Sequence, residues 1–167
     1  MKYIFDDIKY LIKKFGTNEP FEIADCLKIN VLFHNIGTLK GYYTYNRRFR
    51  YIVINRDLEK NLQSIVCAHE LGHDRLHQHF ARFSPLKDTT LFDMSTKPER
   101  EANIFAAEML IPDTMLIPLI EKNLSYGSIS CLLDMPMDFL NFKFQALIKK
   151  GYKIKLPYLA QNNFLAE

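Results

Sequence analysis

Two of the five histidines stand in the run His69-Glu70-Leu71-Gly72-His73. On a helix, residues i and i+4 share a face with their Cβ atoms about 5–6 Å apart. Both imidazoles then reach one tetrahedral Zn²⁺ ion. Glu70 sits one residue round the helix, where its carboxylate meets a water on such an ion without displacing a histidine. Histidine pair and glutamate together are the apparatus of metal-assisted hydrolysis. A shuffled chain of this composition contains about 0.008 such motifs, so the spacing is informative. The ion brings the pKa of its water to about 7, and Glu70 is expected to act as general base and then to protonate the leaving amine.

A hydrolytic zinc site holds three protein ligands and leaves a fourth position for water. His77 and His79 follow on or just past the same helix, and one helix rarely delivers three ligands to one ion. His77 is therefore expected at the mouth of a cleft, where it or a strand tyrosine such as Tyr43 could stabilise an oxyanion. A carboxylate from another element is the better third ligand. Lys97-Pro98-Glu99-Arg100-Glu101-Ala102-Asn103 opens the next helix, with Glu99 and Asn103 four residues apart. This resembles the glutamate-ligand zincins, in which a glutamate on a second helix completes the metal sphere and a polar residue one turn later orients a ligand histidine. That resemblance makes Glu99 the third ligand and Asn103 its orienting neighbour. Glu101 is a rival ligand, and Thr96-x-x-Glu99 also reads as a capping box.

Elements that could carry these residues are visible in the pattern. Ile4, Phe5, Ile8, Leu11, Ile12 and Phe15 recur at helical spacing and end at Gly16. A short helix is expected from Pro20 to Leu27, with Asn18 as its cap. Val31–Phe33, Gly41–Tyr45 and Arg50–Ile54 are β-branched and aromatic, and the last two should pair as an antiparallel hairpin. A helix follows from about Asp57 to His79, then a loop from Phe80 to Thr96 around Pro85, then a helix from Pro98 to Ile111. Two or three helices fill 113–150, with a final short strand at Tyr152–Lys155. The expected class is α+β: a small antiparallel sheet packed against the HExxH helix and the second ligand-bearing helix. A core spanning 1–112 would carry a helical extension over 113–167.

The 167 residues suit one ordinary domain, and 48% hydrophobic with 25% charged content excludes a disordered chain. Three scattered cysteines without a CxxC pair fit no disulfide framework and point to the cytoplasm. No apolar run approaches the length of a membrane span. A net charge of +3 is too weak to argue for nucleic-acid binding. Ser128–Asp134 and the helix after it could be read as helix-turn-helix, but lysines alone supply the charge there, and base readout leans on arginine. Cys67 falls on the helix face away from the histidines and should be core.

Together, His69–His73 and the segment Glu99-Arg100-Glu101-Ala102-Asn103-Ile104-Phe105-Ala106-Ala107-Glu108-Met109-Leu110-Ile111-Pro112 resemble the ImmA/IrrE metallopeptidase family. The Gly41 and Ile52–Asn55 strands and Leu76-His77 fit it too, over roughly residues 20–112. The resemblance implies a cytoplasmic zinc peptidase of mobile elements that inactivates a helix-turn-helix repressor, with His69, His73 and Glu99 as metal ligands, Glu70 as catalytic glutamate and Asn103 as orienting residue. Two other readings remain at this point: a binding module that no longer hydrolyses, and a DNA-binding regulator with a structural metal.

Overall fold

The computed structural model describes residues 1–81, 86–88 and 92–154. Helix α1 (Lys2–Phe15) buries Ile4, Phe5, Ile8 and Leu11, the stripe its sequence spacing predicts, and stops at Gly16 in the left-handed region (φ 75°). Helix α2 (Pro20–Cys26) follows. Its N-terminal flank is Glu19, not Asn18; the Asn18 side-chain amide instead donates to the Met109 carbonyl, tying this turn to the far end of α4.

Strands β1 (Asn30–His34), β2 (Gly41–Asn46), β3 (Phe49–Asn55) and β4 (Leu86–Asp88) form one sheet in the order β1-β3-β2-β4. β2 and β3 make the expected antiparallel hairpin, turning through Arg47 and Arg48, both at positive φ (47° and 75°). Two left-handed residues give the turn the twist a two-residue hairpin needs.

The sheet departs from the expected all-antiparallel arrangement because β1 joins β3 in parallel, Val31 opposite Ile52 and Phe33 opposite Ile54. β3 is thus an interior strand. Its unbroken run Ile52-Val53-Ile54 is buried, which is how a strand covered on both faces reads. β4 pairs antiparallel with Gly41–Tyr43 of β2, so a strand stands inside the span expected to be loop.

Helix α3 (Lys60–Ala81) carries the histidines, with a non-helical residue at His77 (φ −128°, ψ 15°). Helix α4 (Lys97–Leu110) packs along it. Among the described residues, helices α5 (Asp113–Glu121), α6 (Tyr126–Leu133) and α7 (Met137–Lys149) follow, α5 leaving α4 at 82° beyond Pro112. Tyr152–Ile154 form no strand, contrary to expectation, and Lys155 lies outside the described residues.

Phe139, Leu140, Phe142, Phe144 and Leu147 of α7 join the hydrophobic cluster that also takes in α1, α3, α4 and the sheet. Beneath them Lys143, fully buried, pairs with Glu108 of α4 (2.7 Å) and Asp113 of α5, and Lys150 pairs with the same two carboxylates. Charges removed this completely from water need such partners. Among the described residues no single helix is long and apolar enough to cross a membrane.

Candidate metal centre

The site is made where α3 and α4 cross. Close approach is possible because Gly72, the one side-chain-free residue of the motif, faces Ala102: a Cβ added at Gly72 would stand 3.0 Å from Ala102 Cα and 3.3 Å from its carbonyl oxygen. α4 therefore lies against α3 backbone to backbone, with Glu99 and Asn103 on either side of that contact. Thr96 caps α4, its hydroxyl accepting from the Glu99 N–H at 3.3 Å. The Glu99 carboxylate turns to the two imidazoles, so Thr96 supplies the cap while the Glu99 side chain faces the histidines.

His69 Nε2 lies 3.2 Å from Glu99 Oε2, His73 Nε2 lies 3.4 Å from Glu99 Oε1, and the two Nε2 atoms are 3.0 Å apart. Metal–ligand bonds of about 2.0–2.1 Å at tetrahedral angles place ligand atoms about 3.3 Å apart. The triangle matches that spacing, so the donor set present fits a small divalent ion. Burial works to raise the Glu99 pKa, but the facing His69 and His73 outweigh it and hold the carboxyl below the usual range, in the form that ligates.

The far sides of the imidazoles are held as well. His69 Nδ1 is 3.0 Å from Asn103 Oδ1, while Asn103 Nδ2 donates to the Asp93 carbonyl (2.7 Å). With its amide nitrogen committed, Asn103 presents oxygen to the ring. His69 then carries its proton on Nδ1 and turns the Nε2 lone pair inward, as a ligand must.

Glu70 is fully buried beside Gly41 of β2, whose missing side chain leaves it room: a Cβ there would be 3.1 Å from Glu70 Oε1 and 2.4 Å from Val66 Cγ1. Cys67, one turn before Glu70 on α3, is buried in the core, and burial, then the Glu70 charge, push its thiol pKa up.

The remaining expected residues fall elsewhere. His77 does not line a cleft mouth; it is 4% exposed, with Nδ1 3.2 Å from His73 Nδ1 and Nε2 3.0 Å from Glu101 Oε2. Glu101 is thus brought to His77 and not to the His69–His73 pair. Tyr43 is fully buried and donates its hydroxyl to Asp74 Oδ1 (2.7 Å), which engages its one proton. Burial, then the Asp74 charge, raise its pKa. Asp74 also holds Arg50 of β3 (3.0 Å), which reaches the Leu27 carbonyl, so the residue after the motif anchors α3 to the sheet. His79 is exposed.

From the sequence, Gly41–Tyr45 or Tyr51–Ile54 would be expected to supply a free sheet edge along which an extended peptide substrate could pair. β3 is interior, and β2 is covered by β4 along Gly41–Tyr43, so neither offers that edge. Sequence reasoning passed over Gly72 and Gly41 as site residues. A glycine inside a helix, and one opening a strand over a helix, were the available signals of close approach.

Residues 24–144 match the peptidase M78 family, described as the IrrE N-terminal-like domain. The chain is 36% identical over 137 residues to immunity region protein 2 of Bacillus phage phi105, covering 81% of this chain and 85% of that one. It is 31% identical over 147 residues to metallopeptidase ImmA of Bacillus subtilis, covering 85% and 84%. The match takes in α3, α4 and most of α7 in one stretch, with the zincin-like α+β frame that sets HExxH and glutamate face to face. On these similarities the chain is a member of the ImmA/IrrE family of metallopeptidases.

Proposed function

We propose that this chain is a zinc-dependent endopeptidase that cuts a helix-turn-helix repressor of a prophage or integrative element, in the cytoplasm. The observation that carries the reading is the Glu99 carboxylate set between the Nε2 atoms of His69 and His73, with Glu70 buried on the same helix. His69, His73 and Glu99 would hold the ion. When bound, zinc supplies Lewis-acid polarisation of a carbonyl and an acidified water. Glu70 takes a proton from the attacking water at its carboxylate and delivers it to the leaving amine nitrogen, a transfer typically worth 10²–10⁴-fold. Asn103 keeps His69 in the ligating tautomer.

The repressor as substrate is supported by the phage immunity-region relative and by the relative named ImmA. Free cysteines, Cys67 buried and Cys26 and Cys131 exposed, suit a reducing compartment. Direct DNA contact has little to draw on around α7, where Lys143 is buried and Lys150, just past the helix end, is engaged with Glu108 and Asp113. In this reading 1–112 is the peptidase core and 113–167 an extension packed on it, contributing to substrate recognition.

The test is Glu70→Gln. The zinc-loaded variant, incubated with the repressor encoded by the same element, should retain its metal and its grip on the repressor and leave the repressor intact on a gel. Cleavage at the parent's rate would remove Glu70 from the chemistry; an intact repressor with the parent chain as well would favour a non-hydrolytic binding module.

A further inference from the structure

The two ligand histidines are oriented by different means. Behind His69 stands an amide, Asn103, fixed by a main-chain carbonyl. Behind His73 stands a second imidazole. His73 Nδ1 and His77 Nδ1 are 3.2 Å apart, His77 Nε2 is 3.0 Å from Glu101 Oε2, and the Tyr3 hydroxyl donates to Glu101 Oε1 at 2.5 Å. His77 is 4% exposed, and its non-helical backbone bends α3 at this residue.

With neutral rings, one proton arrangement satisfies the run of contacts from Tyr3 to His73 Nδ1. Glu101 faces the Tyr3 hydroxyl with one oxygen and His77 Nε2 with the other, and as a carboxylate it accepts from both. His77 therefore donates from Nε2 and is left with a lone pair on Nδ1. That lone pair accepts from His73 Nδ1–H, which leaves the His73 Nε2 lone pair directed toward His69 and Glu99.

We propose that His77 is a positioning residue for the metal ligand His73, holding its ring and tautomer through the Nδ1–Nδ1 hydrogen bond, and that Glu101 and Tyr3 hold His77. Ligand histidines commonly donate their second N–H to a carboxylate, carbonyl or water; here the carboxylate acts one ring further back. Tyr3 brings α1 into the metal centre, although α1 lies outside the family-matched residues 24–144. Lys97 Nζ, 3.7 Å from Glu101 Oε1, adds a cation at the outer end. This inference rests on the metal-centre reading of His69, His73 and Glu99.

The experiment measures zinc affinity of the full chain by competition with a chromophoric chelator, and the ring-nitrogen NMR of ¹⁵N-histidine-labelled chain with and without zinc. Unaltered chain should show His77 protonated at Nε2 and His73 at Nδ1. His77→Phe, which keeps a flat ring but no acceptor, should lower zinc affinity about 10–100-fold. His77→Gln, whose amide oxygen can accept, should recover most of that loss, which a packing role would not explain. Tyr3→Phe, at the outer end of the chain of contacts, should cost about threefold. Wild-type affinity in His77→Phe, or His77 protonated at Nδ1, overturns the positioning role and leaves the metal centre standing. Failure of the unaltered chain to bind zinc overturns both. Should His77→Phe not fold, the nitrogen spectrum of the unaltered chain decides.

Discussion

Replacing Gly72 by alanine separates the stability of α3 from the geometry of the metal centre. The added Cβ would stand 3.0 Å from Ala102 Cα and 3.3 Å from Ala102 Cβ and O, all on α4 and two of them backbone atoms that cannot rotate away. Restoring ordinary contact needs α4 to withdraw by about 0.4 Å or more, a cost of the order of 1–3 kcal/mol for overpacking. Alanine within a helix returns about 1 kcal/mol over glycine. The net loss of stability in the metal-free protein should therefore be about 0–2 kcal/mol.

The site is less forgiving. Glu99 and Asn103 flank Ala102 and move with it, and a shift of that size exceeds the tolerance of about 0.2 Å in metal–ligand distances. Zinc affinity should fall about 10–100-fold, as when an orienting partner is lost. Urea unfolding of the metal-free chain and chelator competition measure the two effects. Gly127→Ala, with no atom within 4 Å of the new Cβ, is the control and should leave affinity unchanged. A Gly72→Ala chain that binds zinc like the parent would refute the claim that the α3–α4 contact sets the ligand triangle.

Gly41→Ala should destabilise by about 2 kcal/mol in urea unfolding, since its Cβ would meet Val66 Cγ1 at 2.4 Å; an unchanged midpoint contradicts the packing beside Glu70. Lys143→Met leaves Glu108 and Asp113 sharing Lys150 alone and should cost about 3 kcal/mol, with a loss below about 0.5 kcal/mol counting against the buried cluster. Burial works to raise the Asp113 pKa, but Lys143 and Lys150 lower it below the ordinary value. The unfolded chain then binds more protons, so this stabilisation is complete above the ordinary Asp pKa of about 3.9 and is lost as pH falls through it toward the folded value. Urea midpoints measured from pH 7 to pH 3 should decline at the acid end, less steeply in Lys143→Met; a rise on acidification would contradict the sign.

What the sequence made legible was periodic or local. The apolar stripe of α1, the Gly16 stop, the β2–β3 hairpin and the His69–His73 pair all rest on spacings within one element. Glu99 and Glu101 differ by two residues, about 200° round α4, and only the rotation of α4 against α3 decides which meets the histidine pair; no spacing in the chain encodes it. His77 lies on the motif's own face, but its hydrogen bonds to His73 and Glu101 depend on a backbone irregularity at that residue with no proline or glycine to signal it. The parallel β1–β3 pairing was hidden because β1 pairs with β3 and not with β2, its neighbour in sequence, which lies on the other side of β3. The resemblance to a known family supplied the Glu99 assignment, and the cross-helix distances supply its physical ground.

The central claim is that two imidazoles of α3 and one carboxylate of α4 converge on one ion. X-ray absorption at the zinc edge of the purified chain, taken with its metal content, measures this most directly. The account predicts one zinc per chain with a sphere of nitrogen and oxygen at about 2.0–2.2 Å, two of the ligands being imidazoles, and loss of the bound ion in Glu99→Ala. A chain that holds no stoichiometric metal, a sphere containing sulfur, or an unchanged spectrum in Glu99→Ala would contradict it.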